Sequence, residues 1–479
     1  MTEIKKNFVY NLFYQGLILL LPLITVPYIS RKLGVEGIGI YSYTYSIVYY
    51  FMLISMLGIN NYGNRTIAKS KEDKKLLSQN FISIYSIQLF MTILMIIIYI
   101  IYIYFFCKKY TLISEIQIIY LISVLFDLNW FFFGMEKFKI TVTRSTIIKI
   151  ISVILIFKFV KSQDDLSVYV LIMSCSTLLT QLVLIPYLLK EIKIEKIQFS
   201  NIKKHILPCL VLFIPYISVS LYKIMDKIML GNMSTIMEVG FYEQAEKIIN
   251  IPTGIISALG TVMLPRISNL LSKGNKKIAE EYIKKSIKFI MFISFPICFG
   301  LIAISTNFVQ IFLGDSFYKT SILIYYLSPT ILFLSFANVI RTQFLIPNEK
   351  DKDFTYSLIG GAIINLIINY LLIPKYKSIG AAIGTFFAEL FVCLYQTITV
   401  RNDLPIKEYL KSIYQFLIKT IIMFIIVFPL NLINTKKIYI IVLQITIGVV
   451  AYVLINKKYI EDILNIRRKH ERANKKNNT

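Results

Sequence analysis

Apolar stretches of 18 to 25 residues recur about fourteen times along this chain, separated by short polar breaks. A helix needs about 20 apolar residues to cross the roughly 30 Å hydrocarbon core of a bilayer, and only helices or closed barrels satisfy their backbone there. The pattern therefore restricts the chain to an all-α polytopic membrane protein. A soluble core would not need so many long runs in 479 residues, 56% of them hydrophobic. The spacing predicts spans at 8–29, 38–60, 82–106, 111–133, 139–160, 166–188, 206–229, 246–268, 287–304, 321–341, 354–373, 378–400, 413–434 and 437–456. The weakest is 246–268, which holds Pro252, Gly254, Gly260 and Pro265. Without it the second half would invert and carry its basic loops to the wrong side.

Charge then reports orientation. The net charge is +25, and 52 residues are Lys or Arg. About 34 of these fall in breaks on the N-terminal side, about 11 in the opposite breaks and about seven within spans. The first group includes Arg65 to Lys75, Lys190 to Lys204, Arg266 to Lys285 and the tail from Lys457 to Lys476; the break from Gly231 to Ala245 has none. Both termini are expected to be cytoplasmic, and the basic charge is not read as a nucleic-acid surface. The start, MTEIKKNF, runs into a full-length span without a small-residue cleavage site, so it reads as a retained first helix.

Several chemistries have no residues to work with. Cys107, Cys175, Cys209, Cys298 and Cys393 are scattered without a C-x-x-C, and read as small apolar packing residues. His205 and His470 are the only histidines, which leaves little for a metal centre or a triad. No G-x-x-x-x-G-K-[ST] occurs, and no break exceeds about 25 residues, so neither a P-loop nor an inserted catalytic domain is expected. No cofactor or metal is expected, and the chain is not read as an enzyme.

The chain repeats weakly. Leu33-Gly34 with Gly39-Ile40-Tyr41 is echoed by Leu230-Gly231 with Gly240-Phe241-Tyr242. Asn129 with Glu136-Lys137 is echoed by Asn338 with Glu349-Lys350 at a similar offset. Six spans separate the members, and six is even, so the two blocks would insert with the same orientation about an axis along the membrane normal. The expected organisation is a six-helix lobe over 1–205, a second over 206–400, and two additional helices with a basic tail over 401–479.

Ionisable groups within spans are costly and normally face protein or a water-filled cavity. Asp127, Arg144, Lys149, Lys223, Asp226, Lys227, Lys247, Glu389 and Lys419 are such groups. Lys223, Asp226 and Lys227 are spaced i, i+3 and i+4, which would put them on one face of the seventh span. They read either as a functional cluster or as a local ion pair with the lysines reaching outward. Only nine residues are Arg against 43 Lys, and Arg31, Arg65, Arg144, Arg266 and Arg341 sit at or just inside span ends. A guanidinium grips phosphate bidentately and keeps its charge in a dry site, so these suit an anionic solute. Headgroup anchoring is the competing reading. The prolines Pro22, Pro27, Pro208, Pro215, Pro252, Pro265, Pro296 and Pro329 read as static kinks or bending points. Aromatic runs such as Tyr41-Ser42-Tyr43-Thr44-Tyr45 read as an interfacial belt or a sugar-stacking face.

The motifs resemble the Wzx-type oligosaccharide (polysaccharide repeat-unit) flippases, within the multidrug/oligosaccharidyl-lipid/polysaccharide exporter superfamily. The resemblance rests first on Asn11-x-x-Tyr14-Gln15, Pro22, Tyr28 and Arg31-Lys32-Leu33-Gly34-Val35-Glu36-Gly37-Ile38-Gly39, continuing through Leu57-Gly58-Ile59, Tyr62-Gly63 and Arg65. A second motif runs from Asp127 to Phe138 ahead of Thr143-Arg144-Ser145. A third is Asp226-Lys227-Ile228-Met229-Leu230-Gly231 with Val239-Gly240-Phe241-Tyr242, Pro265-Arg266, Gly380-Ala381-Ala382 and Glu389.

The resemblance implies a fourteen-helix, two-lobed flippase in the bacterial cytoplasmic (inner) membrane. Such a protein moves undecaprenyl-pyrophosphate-linked oligosaccharide units across the bilayer by alternating access, for capsule, O-antigen or exopolysaccharide. Arg31, Arg65, Arg144, Lys149, Lys223 and Arg266 would then bind the anionic headgroup; Asp127, Asp226 and Glu389 would couple an ion or pair with those cations. Expected partners are the lipid-linked oligosaccharide, membrane lipids and polysaccharide polymerase or assembly proteins. A lipid II flippase of the same superfamily stays open, because its headgroup is also a pyrophosphate-linked sugar. A multidrug extruder fits less well, since cationic drugs call for an acidic cavity. A polymerase or ligase would need a larger outer loop than any break here provides.

Overall fold

The computed structural model describes the backbone of residues 3–193, 199–433 and 435–462, and side chains from Leu21 onward apart from 199, 200, 259, 261 and 262. Segment 194–198, the tail beyond Asp462 with His470, and the side chains of Asn11, Tyr14 and Gln15 lie outside the described residues.

The described residues form helices and no strand. In chain order these are α1 (Glu3–Met56), α2 (Ile59–Ser70), α3 (Lys74–Phe106), α4 (Thr111–Leu125), α5 (Asn129–Gly134), α6 (Phe138–Phe159), α7 (Leu166–Leu182), α8 (Ile185–Glu191) and α9 (Phe199–Lys223). They continue as α10 (Met225–Met233), α11 (Ile236–Ser272), α12 (Lys276–Phe312), α13 (Tyr318–Leu327), α14 (Thr330–Ile340), α15 (Asp351–Tyr376), α16 (Ser378–Thr399), α17 (Ile406–Val427) and α18 (Lys437–Ile455). Twelve helical stretches are long and apolar enough to cross a membrane, or thirteen with the bent pair Asp315–Leu327 and Thr330–Leu345. Inside α1, Gly34 leaves helical geometry at φ 68° and ψ −178° and divides the helix. A single straight helix of that length would run about 81 Å, far beyond one bilayer. The protein is a multi-pass membrane protein. The span 246–268 lies wholly within α11, despite Pro252 and Pro265.

Contacts divide the chain into two compact units, one of residues 1–244 and 358–388, the other of 245–357 and 389–479. Their boundaries fall inside α11, α15 and α16.

In the first unit a broken span is held together by a side chain distant in sequence. The backbone leaves helical geometry between α4 and α5, freeing carbonyls that would be costly to bury unpaired. Gln88 of α3 donates to the carbonyls of Val124 (2.7 Å) and Asp127 (3.0 Å) and accepts from Trp130 Nε1 (2.9 Å). Trp130 is fully buried, stacks on Phe81 and packs against Gly63 of α2, where a Cβ would overlap its ring. The short polar helix α2 turns Ile59, Gly63 and Ile67 into this core. Its asparagines are left for another purpose.

Both units carry the same corner. Glu136 (φ 58°) and Glu349 (φ 56°) are left-handed non-glycine residues, and each is followed by a lysine whose N–H closes a 2.9 Å bond five residues back, Lys137 to Phe132 and Lys350 to Leu345. Lys137 pairs with Glu191 at the end of α8, and Lys350 with Asp403 (2.6 Å) just past α16. The Glu-Lys echo in the sequence is thus matched in backbone and in ion pairing.

Candidate functional site

A polar chamber of about 620 Å³ opens in the first unit where α2, α5, α6, α7 and α9 meet. It is lined by Asn60, Asn61 and Asn64 of α2, Asp127, Asn129, Thr180 and Gln181, with Phe133, Phe138 and Tyr216 supplying aromatic surface. The Gln88 brace places its acidic corner. Asp127 accepts from the Asn129 backbone N–H (3.0 Å) and from Asn129 Nδ2 (2.7 Å), and so satisfies the first free N–H of α5. Asn129 Nδ2 also reaches Gln181 Oε1 (3.2 Å). Arg144, buried on α6, donates to Asn129 Oδ1 and to Gln181 Oε1 (3.4 Å). The guanidinium stands behind the chamber and fixes two amides that line it. In the second unit the corresponding echo holds a similar contact, Arg341 Nη2 donating to Asn338 Oδ1 at 2.7 Å where the helix loosens into a π-turn over Arg341–Leu345.

A second polar cluster is fully enclosed. Asp226 has no solvent exposure; its carboxylate accepts from Tyr242 Oη (2.6 Å), Thr385 Oγ1 (2.7 Å) and Asn369 Nδ2. Asn369 in turn donates to Asn365 Oδ1 (3.1 Å). A buried carboxylate persists when hydrogen bonds replace its lost water, and three side-chain donors from α11, α15 and α16 do that here.

The third feature joins α1 to α10 and α11. Lys227 pairs with Glu243 at 2.8 Å, and Ser42 Oγ donates to the same carboxylate at 2.8 Å. Beside it Tyr41 and Tyr45 pack on Tyr120 and Tyr169, with the Tyr41 and Tyr120 hydroxyls 3.1 Å apart. Tyr41 and Tyr45 of the aromatic run are thus half-buried and packed ring against ring within the unit.

The residues singled out from sequence scatter more widely than expected. Arg31 is exposed just ahead of the Gly34 break, Arg65 is exposed on α2, and Lys149 is half-buried on α6. Arg266 lies in the second unit, exposed, with its guanidinium 4.3 Å from the Tyr282 ring centre. Glu389 is buried on α16, also in the second unit. The expected shared face of Lys223, Asp226 and Lys227 does not form. The helix breaks at Ile224, so Lys223 ends α9 exposed, Asp226 enters the enclosed cluster, and Lys227 turns to Glu243. Sequence reasoning missed Glu243 because it placed that residue in a loop, whereas α11 begins at Ile236. It also missed Asn369 and Thr385, which carry no charge to mark them.

Comparison with known proteins matches this architecture. The model of the family described as "Polysaccharide biosynthesis protein" matches residues 4–271, and the MatE model matches 212–371. The chain is 27% identical over 409 residues to the "Putative O-antigen transporter" of Escherichia coli (strain K12), covering 84% of this chain and 97% of that protein. It is 24% identical over 230 residues to the lipid II flippase MurJ of Thermosipho africanus, 46% of each chain. Among solved structures, the inward closed conformation of the lipid II flippase MurJ superposes with a TM-score of 0.77 at 18% identity, over 96% of this chain and 99% of that one. An inward-facing multidrug resistance MATE transporter gives a TM-score of 0.59 at 13% identity, over 83% and 95%. With its model matching more than half of the chain, the protein belongs to the polysaccharide biosynthesis protein family.

Proposed function

We propose that this chain is a flippase for undecaprenyl-pyrophosphate-linked oligosaccharide repeat units, working by alternating access in the bacterial cytoplasmic membrane with both termini cytoplasmic. It would serve capsule, O-antigen or exopolysaccharide biosynthesis. The observation that carries the reading is the amide-lined chamber inside a multi-pass member of this family. A hydrocarbon-embedded protein has no packing reason to hold four asparagines, an aspartate and a glutamine around open volume. A polar solute gives one.

Exposed cations fit the headgroup. Arg31, Arg65, Lys223 and Arg266 are open to solvent or lipid headgroups, and Lys149 is half-buried, so these are our candidates for the pyrophosphate. Arg144 acts through Asn129 and Gln181 instead. Asp226 is the leading candidate for ion coupling, because protonation or cation binding at an enclosed carboxylate would rearrange the three elements that hold it. Asp127 and Glu389 stay as candidates for coupling or pairing. Polymerase or assembly proteins would take the glycan after release.

The test is deletion in the native host. Lipid-linked repeat units should accumulate on the cytoplasmic face and surface polysaccharide should disappear, with both restored by the intact gene. Unchanged surface polysaccharide without a redundant transporter would refute the proposal. The structural likeness to the lipid II flippase makes that substrate the second reading. Growth of a strain depleted of its own lipid II flippase, rescued by this chain, would select it.

A further inference from the structure

We infer that the chamber between α2, α5, α6, α7 and α9 is a subsite for the uncharged sugar portion of the substrate, separate from the place where the pyrophosphate is held. The inference rests on the flippase reading above and adds to it a division of labour.

Charge argues first. Among the residues lining the chamber there is no Lys or Arg, and the one carboxylate is Asp127. A pyrophosphate placed there would meet a carboxylate with no cation on the wall, which like-charge repulsion disfavours. Arg144 is not among the lining residues; its Nη1 and Nη2 donate to Gln181 Oε1 and Asn129 Oδ1, so it supports the wall from behind.

Donor and acceptor chemistry argues next. The hydroxyls of Thr141, Ser145 and Thr180 are engaged with backbone carbonyls of their own helices, at 2.9, 2.8 and 2.7 Å. The adaptable groups are the amides of Asn60, Asn61 and Asn64, spaced i, i+1 and i+4 on α2. Each amide offers an acceptor and two donors side by side, the complement of a pair of neighbouring sugar hydroxyls. Asn61 Oδ1 accepts from the Tyr216 hydroxyl at 3.3 Å, which joins the amide row to an aromatic face. Phe133, Phe138 and Tyr216 then present rings to the apolar C–H face of a pyranose. The chamber's volume of about 620 Å³ lies within the range of sites that enclose a small ligand. The opposite walls are fixed: Gln88 and Trp130 hold the α4–α5 break, and Gly63 lets α2 approach it. Such preorganisation is what a neutral ligand without strong charge contacts requires.

Two probes separate this inference from the function on which it rests. One is lipid-linked oligosaccharide extracted from the deletion strain; the other is undecaprenyl pyrophosphate without sugar. Equilibrium binding of each is measured on the purified full chain in nanodiscs, for the wild type, for Asn60→Leu with Asn64→Leu, and for Asn64→Gln. The wild type should bind the glycosylated lipid more tightly than the bare one. The double variant should lose about five- to tenfold for the glycosylated lipid and keep its affinity for the bare one, which also reports that it is folded. Asn64→Gln, which keeps the amide, should lose less. Equal losses for both probes, or no loss for either, would overturn the subsite. A double variant that binds neither probe is judged by Asn64→Gln, which must then weaken the glycosylated lipid selectively; otherwise the subsite is overturned. A wild type that binds neither lipid would refute the flippase reading itself.

Discussion

Gly39 and Gly240 occupy each other's contact surface: a Cβ on Gly39 would overlap the carbonyl oxygen of Ile236, and one on Gly240 would overlap that of Val35. The two belong to the echoed motifs, and their contacts are reciprocal, as a two-fold relation between repeats would produce. They cross beside the Ser42, Glu243 and Lys227 cluster. Backbone against backbone at this distance tolerates no side chain.

Valine at either glycine should therefore open this crossing. Gly39→Val or Gly240→Val is expected to insert in the membrane, to lose about 2 kcal/mol or more of stability by overpacking, and to abolish transport. Thermal unfolding of the detergent-purified protein and surface-polysaccharide complementation measure the two effects. A variant with wild-type melting would remove the crossing from consideration as a structural contact.

Asp226 is expected to separate transport from folding. Asp226→Asn keeps the shape and much of the hydrogen bonding to Tyr242, Thr385 and Asn369, so melting should shift little while lipid-linked repeat units accumulate as in the deletion. Asn369→Leu removes a donor from a buried carboxylate and should cost about 1–3 kcal/mol. Full complementation by Asp226→Asn would exclude a coupling role.

The brace on the broken span can be removed from one side. Gln88→Leu leaves the carbonyl of Asp127 and the Trp130 N–H without their partner and Val124's carbonyl with only its backbone bond from Asp127, a cost of about 1–3 kcal/mol in melting experiments. Gly63→Ala pushes a methyl into the Trp130 ring and should cost a similar amount. Stability unchanged in both would show that the break is held by other contacts.

The twin corners predict a gain. Glu136→Gly and Glu349→Gly relieve a left-handed residue with a Cβ, and each should raise stability by up to about 1 kcal/mol, offset in part by the greater freedom of glycine when unfolded. The adjoining ion pairs are partly exposed, so Lys137→Met or Lys350→Met should cost no more than about 1 kcal/mol. Melting temperatures of the four variants decide, and a drop in both glycine variants would contradict the reading of the corners.

Span positions were legible because each apolar run is a full bilayer width, so composition alone located α6, α12 and α18. Gly34 and the Glu-Lys echoes were legible as local signals. The breaks at Ile224 and between α4 and α5 were not, since what tolerates them lies elsewhere: Gln88 mends the second from α3. The break at Ile224 also explains why helical spacing misplaced Lys223, Asp226 and Lys227 on one face. Asn60, Asn61 and Asn64 escaped notice because they sit at a predicted span end, where polar residues are ordinary. Only the packing of α2 on Trp130 turns them toward a shared volume.

Trp130 has one more consequence. It is the single tryptophan of the chain, fully buried, bonded to Gln88, and the immediate neighbour of Asn129 on the chamber wall. The protein thus carries a built-in optical reporter at one defined position. Its ultraviolet emission should be blue-shifted by the dry surroundings and should respond when the chamber fills. Occupancy can then be followed in the unlabelled molecule, in real time, through one indole.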